Sequence, residues 1–175
     1  FAAIGAQDEG GSLWEIDTAE RLYDWNHKKN TRSLIAKTAF SPEGKFAVTA
    51  NQQDLVLWHT QTGMPEWFWS SPGEILDIAL TRNGRYALVG LANHTAVMFD
   101  IVNGGIQRTF RHGGRVRSVA LSKNGKLAIT GADDYTTSIW EIATGKLIHQ
   151  MTLENIIDTV AISDNGELAF SASSL

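Results

Sequence analysis

Five histidines, His27, His59, His94, His112 and His149, are the side chains of this 175-residue chain best suited to acid–base or metal chemistry, because imidazole titrates near neutrality and ligates metals readily. No spacing among them resembles a metal site. Cysteine is absent, which removes thiolate ligands, thiol nucleophiles and disulfides. Asp133-Asp134 would suit a paired-carboxylate mechanism, but it falls in a turn between apolar runs, where Asp serves the backbone. Ser122 and Ser163 are turn residues with no base placed to activate a hydroxyl. Gly10-Gly11, Gly104-Gly105 and Gly113-Gly114 precede no helix, so a phosphate cradle is unsupported. The expectation is a chain with no catalytic, cofactor-binding or metal-binding residue.

The elements that position these residues follow from a repeat. Four turns line up: Ser41-Pro42-Glu43-Gly44, Thr81-Arg82-Asn83-Gly84, Ser122-Lys123-Asn124-Gly125 and Ser163-Asp164-Asn165-Gly166. Their glycines are 40, 41 and 41 residues apart, and each turn separates two apolar runs as a hairpin does. A second landmark, an apolar residue followed by an aromatic, recurs at Leu13-Trp14, Leu57-Trp58, Met98-Phe99 and Ile139-Trp140. A period near 41 with four short strands per unit predicts an all-β propeller of four-stranded antiparallel blades. The clearest unit places strand a at Val116–Leu121, b at Lys126–Ala132, c at Thr137–Ile142 and d at Lys146–Leu153. Ala39, Ala79, Ala120 and Ala161 stand two residues before the four turns, as the crowded innermost strand requires.

The stretch Phe110 to Ile148, FRHGGRVRSVALSKNGKLAITGADDYTTSIWEIATGKLI, resembles a unit of the WD-repeat (WD40) β-propeller family. That resemblance implies a hydrogen-bonded group of histidine, hydroxyl, Asp and Trp, here His112, Thr130, Asp134 and Trp140. Such a group is physically sound, since a buried Trp N–H needs an acceptor and histidine can bridge a hydroxyl and a carboxylate. Other units depart from it. The first has Asp8 and Trp14 but Ile4 at the hydroxyl position; the second has Thr49 and Trp58 with Gln52 in place of Asp; the third has Ser71, Val89, Asn93 and Phe99. The Trp-Asp pair itself reads Trp-Glu, Trp-His, Phe-Asp and Trp-Glu. Quinoprotein-type propellers share the turn Thr144-Gly145-Lys146, so a piece of such an enzyme, with its active site in blades outside this chain, is the alternative.

The reading of organisation is one WD40-like segment over 1–175: a partial blade at 1–29, blades at 30–72, 73–113 and 114–154, and a partial blade at 155–175, an incomplete ring in one chain. It is expected to be a fragment of a longer propeller or a half closed by a second copy, two copies supplying about eight blades. The family resemblance implies a non-catalytic scaffold that binds a protein or peptide on the rim of d–a and b–c loops. The candidate rim residues are His27, Arg32, Asn93, His94, His112, Arg115 and Arg117. Trp25 and Trp67-Phe68-Trp69 on d strands are expected to pack between blades. A net charge of −4 leaves no footprint for nucleic acid, and no run of 18 apolar residues predicts membrane insertion. No cofactor is expected, and a cysteine-free chain suits cytosol and periplasm equally.

Overall fold

The computed structural model describes residues 2–6, 10–27 and 35–173. Every regular element in it is a strand. Strands β1 (Ala2–Ala6), β2 (Gly10–Trp14) and β3 (Arg21–Trp25) form a three-stranded antiparallel sheet. Three four-stranded sheets follow, each a meander in chain order. They are β4 (Lys37–Phe40), β5 (Phe46–Ala50), β6 (Asp54–His59) and β7 (Pro65–Ser70); β8 (Ile75–Leu80), β9 (Tyr86–Leu91), β10 (Thr95–Asp100) and β11 (Ile106–Arg111); and β12 (Val116–Leu121), β13 (Leu127–Ala132), β14 (Thr136–Glu141) and β15 (Leu147–Thr152). Strands β16 (Thr159–Ile162) and β17 (Ala169–Ala172) pair last. These are the blades of a propeller, and among the described residues the ring is open.

The turn chemistry explains the repeat. In each a–b turn the hydroxyl of Ser41, Thr81, Ser122 or Ser163 accepts the backbone N–H of Phe46, Tyr86, Leu127 or Leu168. The Oδ1 of Asn83, Asn124 and Asn165 accepts the N–H two residues on. The closing glycines sit at φ between 68° and 76°, a left-handed conformation only glycine adopts without strain.

A β-bulge interrupts the c–d pairing of the first four sheets at the same place, between Leu13 and Trp14, Leu57 and Trp58, Met98 and Phe99, and Ile139 and Trp140. A bulge re-aims the side chains beside it. In the three four-stranded sheets the re-aimed aromatic meets one from the preceding d strand: Trp25 stacks on Trp58 at 5.2 Å, Trp69 on Phe99 at 4.3 Å, and Phe110 packs on Trp140 at 5.1 Å. Trp67 and Trp69 also pack on the core between blades, while Phe68 on the opposite face is 50% exposed.

The innermost strands β4, β8, β12 and β16 lie side by side. Asp77 on β8 accepts from the Ser118 hydroxyl (3.1 Å) and the Val119 N–H (2.9 Å) on β12, and Ser118 Oγ accepts the Val160 N–H on β16. One polar seam thus joins three blades around the axis.

Candidate functional site

Two clusters of polar residues stand out, one inside the blades and one at the end of the axis. In the fourth sheet the structure brings His112, Thr130, Asp134 and Trp140 together. Trp140 Nε1–H donates to Thr130 Oγ1 (2.8 Å), which lies 2.7 Å from His112 Nε2. His112 Nδ1 lies 3.2 Å from both Asp134 Oδ2 and Thr136 Oγ1. A neutral ring protonated on Nδ1 gives every donor an acceptor: indole to hydroxyl, hydroxyl to Nε2, Nδ1–H to carboxylate. Burial holds the His112 pKa below its ordinary value despite the opposing pull of Asp134, so the ring is neutral at pH 7. Burial alone would raise Asp134, yet hydrogen bonds from Thr136 and the Gly113 N–H, with His112 alongside, hold it below the usual carboxylate value.

Thr136 is a member that sequence reasoning missed. Its N–H and hydroxyl both donate to Asp134 Oδ1, and the signal is the Asp-x-Thr spacing of an Asx turn.

The second sheet holds a parallel arrangement. Trp58 Nε1–H donates to Thr49 Oγ1 (2.7 Å), and His27 Nε2 lies 2.7 Å from the same oxygen. His27, expected on the rim, is instead the counterpart of His112. The signal was available in the chain: Trp25-Asn26-His27 and Phe110-Arg111-His112 each place histidine two residues after the d-strand aromatic. Counting back from the a strand hides it, because the second connection is longer. Among the described residues no carboxylate bonds this ring: the b–c turn closes on Asn51, and Asp54 hydrogen-bonds Ser70 and Asn51 instead. His27 Nδ1 is buried and without a partner among the described residues.

The third sheet has neither relay nor indole, and Trp69 stacked on Phe99 fills the equivalent space. In the first, Trp14 Nε1–H donates to Ser12 Oγ rather than across the strands. Asp8 and Arg32 lie outside the described residues.

The rim residues divide by orientation. His112, expected there as well, has a side chain 0% exposed, because the relay draws it under the b–c turn. Asn93 and His94 are exposed in the b–c turn of the third sheet, where Thr95 Oγ1 donates to Asn93 Oδ1 at 2.6 Å. Arg115 reaches Glu74 of the neighbouring blade at 3.1 Å, and Arg117 bonds Asp133. Around the end of the axis Lys37, Glu74, Arg115, Arg117 and Asp158 line a groove of about 450 Å³. Its cations and carboxylates nearly balance, so the groove presents fixed charges without a strong net field.

Residues 104–141 match the family model described as WD domain, G-beta repeat. This chain carries a WD40 repeat. The matched stretch runs from the c–d turn before β11 to the end of β14, so it takes in the d strand of one blade and the a, b and c strands of the next. The WD40 repeat therefore spans the junction between two sheets, where His112 connects them. No curated protein matches the chain. Among the described residues no group of three or more His, Cys, Asp or Glu is placed to hold a metal, and no helix is long and apolar enough to cross a membrane.

Proposed function

We propose that this WD40 segment is a non-catalytic scaffold whose partner, a protein or peptide, docks on the rim of d–a and b–c loops. The observation that carries the reading is the axial groove lined by Lys37, Glu74, Arg115, Arg117 and Asp158, where the loops of successive blades present charge to one point. Loops on a rigid scaffold are where binding concentrates. The hydroxyls that meet a histidine in the relays, Thr130 and Thr49, are both 0% exposed, out of reach of a substrate, which supports a reading without catalysis. The blades at 30–72, 73–113 and 114–154, with the partial blades at 1–29 and 155–175, act as one propeller segment. Arg115, Arg117, Asn93 and His94 are the residues proposed to meet the partner; His27 and His112 support the loops from beneath.

The test is affinity capture with the purified chain, followed by titration of the captured protein against the wild type and an Arg115→Glu, His94→Ala variant. A one-to-one complex weakened about tenfold or more by the variant supports the rim. Equal affinities would place the contact elsewhere.

A further inference from the structure

Four Asn-Gly dipeptides punctuate the chain: Asn83-Gly84, Asn124-Gly125 and Asn165-Gly166 in a–b turns, and Asn103-Gly104 in the c–d turn of the third blade. In this dipeptide the side-chain amide is open to attack by the next backbone nitrogen, because glycine has no Cβ to crowd the approach. The attack needs two freedoms: a glycine N–H able to lose its proton, and an asparagine Cγ able to swing onto that nitrogen. All four asparagines are exposed, so access of water does not separate them.

The a–b turns withhold both freedoms. The N–H groups of Gly84, Gly125 and Gly166 donate at 2.9 Å to the carbonyls of Thr81, Ser122 and Ser163. Each asparagine Oδ1 accepts twice, from the hydroxyl two residues before it and from the N–H two residues after it. The c–d turn of the third blade grants them. Gly63 and Gly145, at the matching place in neighbouring blades, donate to the His59 and Glu141 carbonyls at 2.8 Å. Among the described residues the Gly104 N–H and Asn103 Oδ1 have no such partner. The Asn103 side chain is held by one bond, Nδ2–H to Asp100 Oδ2 at 3.1 Å.

Asn103 also departs from its column. The other c–d turns carry Thr18, Thr62 and Thr144 there. The hydroxyls of Thr18 and Thr144 donate to Glu15 and Glu141, as Asn103 Nδ2 donates to Asp100. The turn uses a donor to a carboxylate, and a hydroxyl supplies one without a labile amide.

We propose that Asn103 is a site of spontaneous deamidation in the folded protein, while the three a–b turn asparagines persist. Water takes the proton from the Gly104 nitrogen, which bonds to Asn103 Cγ. The Cγ–Nδ2 bond breaks, and Nδ2 takes up a proton and leaves as ammonia. A second water opens the five-membered imide, at Cγ to give aspartate or at the backbone carbonyl to give isoaspartate. No electrons are exchanged with a partner. Either product replaces a donor to Asp100 with a carboxylate. Asp100 is buried, and its Oδ2 also accepts from Arg85 at 3.2 Å, which ties this turn to the a–b turn of the same blade. Like charges so placed disfavour each other, so the change loosens the third blade at this end. The proposal is independent of the rim reading.

The test ages the full chain at mildly alkaline pH, folded and in concentrated urea, and follows each asparagine by mass-spectrometric peptide mapping. Dividing each site's folded rate by its unfolded rate removes the effect of neighbouring residues. The ratio should lie within about threefold of unity for Asn103 and about tenfold or more below it at the three turns, where a hydrogen bond must break first. An Asn103 ratio as low as those of the turns, or turn ratios near unity, would overturn the assignment. Asn103→Thr, the residue of the other c–d turns, should abolish isoaspartate in this peptide; its persistence would place the reaction elsewhere. Asn103→Asp, the product, should melt about 2–4 °C below Asn103→Thr at low salt, with a smaller gap at high salt. Equal melting would overturn the consequence for Asp100.

Discussion

The junction of the β1–β3 sheet with the β4–β7 sheet and the junction of the β8–β11 sheet with the β12–β15 sheet use the same parts. Each pairs a d-strand aromatic with the indole of the next blade, Trp25 with Trp58 and Phe110 with Trp140. In each the indole donates to a threonine, and a histidine two residues past the d-strand aromatic meets that hydroxyl. They differ at Nδ1: Asp134 and Thr136 complete the second relay, and among the described residues nothing bonds Nδ1 in the first. The indole and hydroxyl thus suffice to place a histidine between blades. The carboxylate sets its tautomer and ties the d–a loop to the b–c turn through the Gly113 N–H.

The largest effects test what the junctions share. Trp140→Ala should cost about 3–5 kcal/mol in urea unfolding, from the lost volume and the lost indole hydrogen bond, and Trp58→Ala should cost the same within about 1 kcal/mol. Both indoles are buried, at 9% and 5% exposure. A large cost at one site alone would show that the junctions are not equivalent.

Next comes what they do not share. His112→Ala should cost about 1–3 kcal/mol, because it leaves Thr130 and Asp134 without their partner in a buried setting. His27→Ala removes one hydrogen bond and should cost less, by about 1 kcal/mol. Equal costs would mean that Asp134 contributes nothing to the relay.

The blade pattern was legible in the chain because turn chemistry is local: Ser or Thr, Asn and Gly hold fixed places, and the four turns fold alike. The strands a to d read for the fourth blade agree with β12–β15 within a residue or two at each end. The c–d bulges were not read as bulges, although each falls on a recurring apolar–aromatic pair, because the pair marks a position and says nothing of the pairing register across the sheet. His27 was hidden by the variable length of its loop, although its spacing from Trp25 marked it.

Acid should separate the junctions further. Burial holds His27 down to about 4, against a smaller opposing pull from Asp54. An unfolded histidine titrates near 6.5. Between those values the unfolded chain binds a proton the folded chain refuses, so this stabilising share is complete above about pH 6.5 and is lost as pH falls toward 4. The loss should be roughly 1–2 kcal/mol, discounted because the ring is not fully enclosed. His112 is lowered in the same direction, and Asp134 limits its share. Unfolding at pH 7 and pH 5 should therefore show a smaller pH effect in His27→Gln than in His112→Gln. The reverse order would place the acid-sensitive seam at the fourth blade.

The smallest effect on stability is expected where a polar residue turns outward. Arg115 and Glu74 are 46% and 45% exposed, and an exposed pair gains little from its Coulomb attraction once solvent and side-chain entropy act against it. Arg115→Ala should shift unfolding by no more than about 0.5 kcal/mol, against 1–3 kcal/mol for His112, three residues away. Both residues belong to one d–a loop, so the contrast isolates orientation from position. If Arg115→Ala cost as much as His112→Ala, the bridge to Glu74 would be holding blades together, and the axial groove would be part of the framework rather than a surface free to meet a partner.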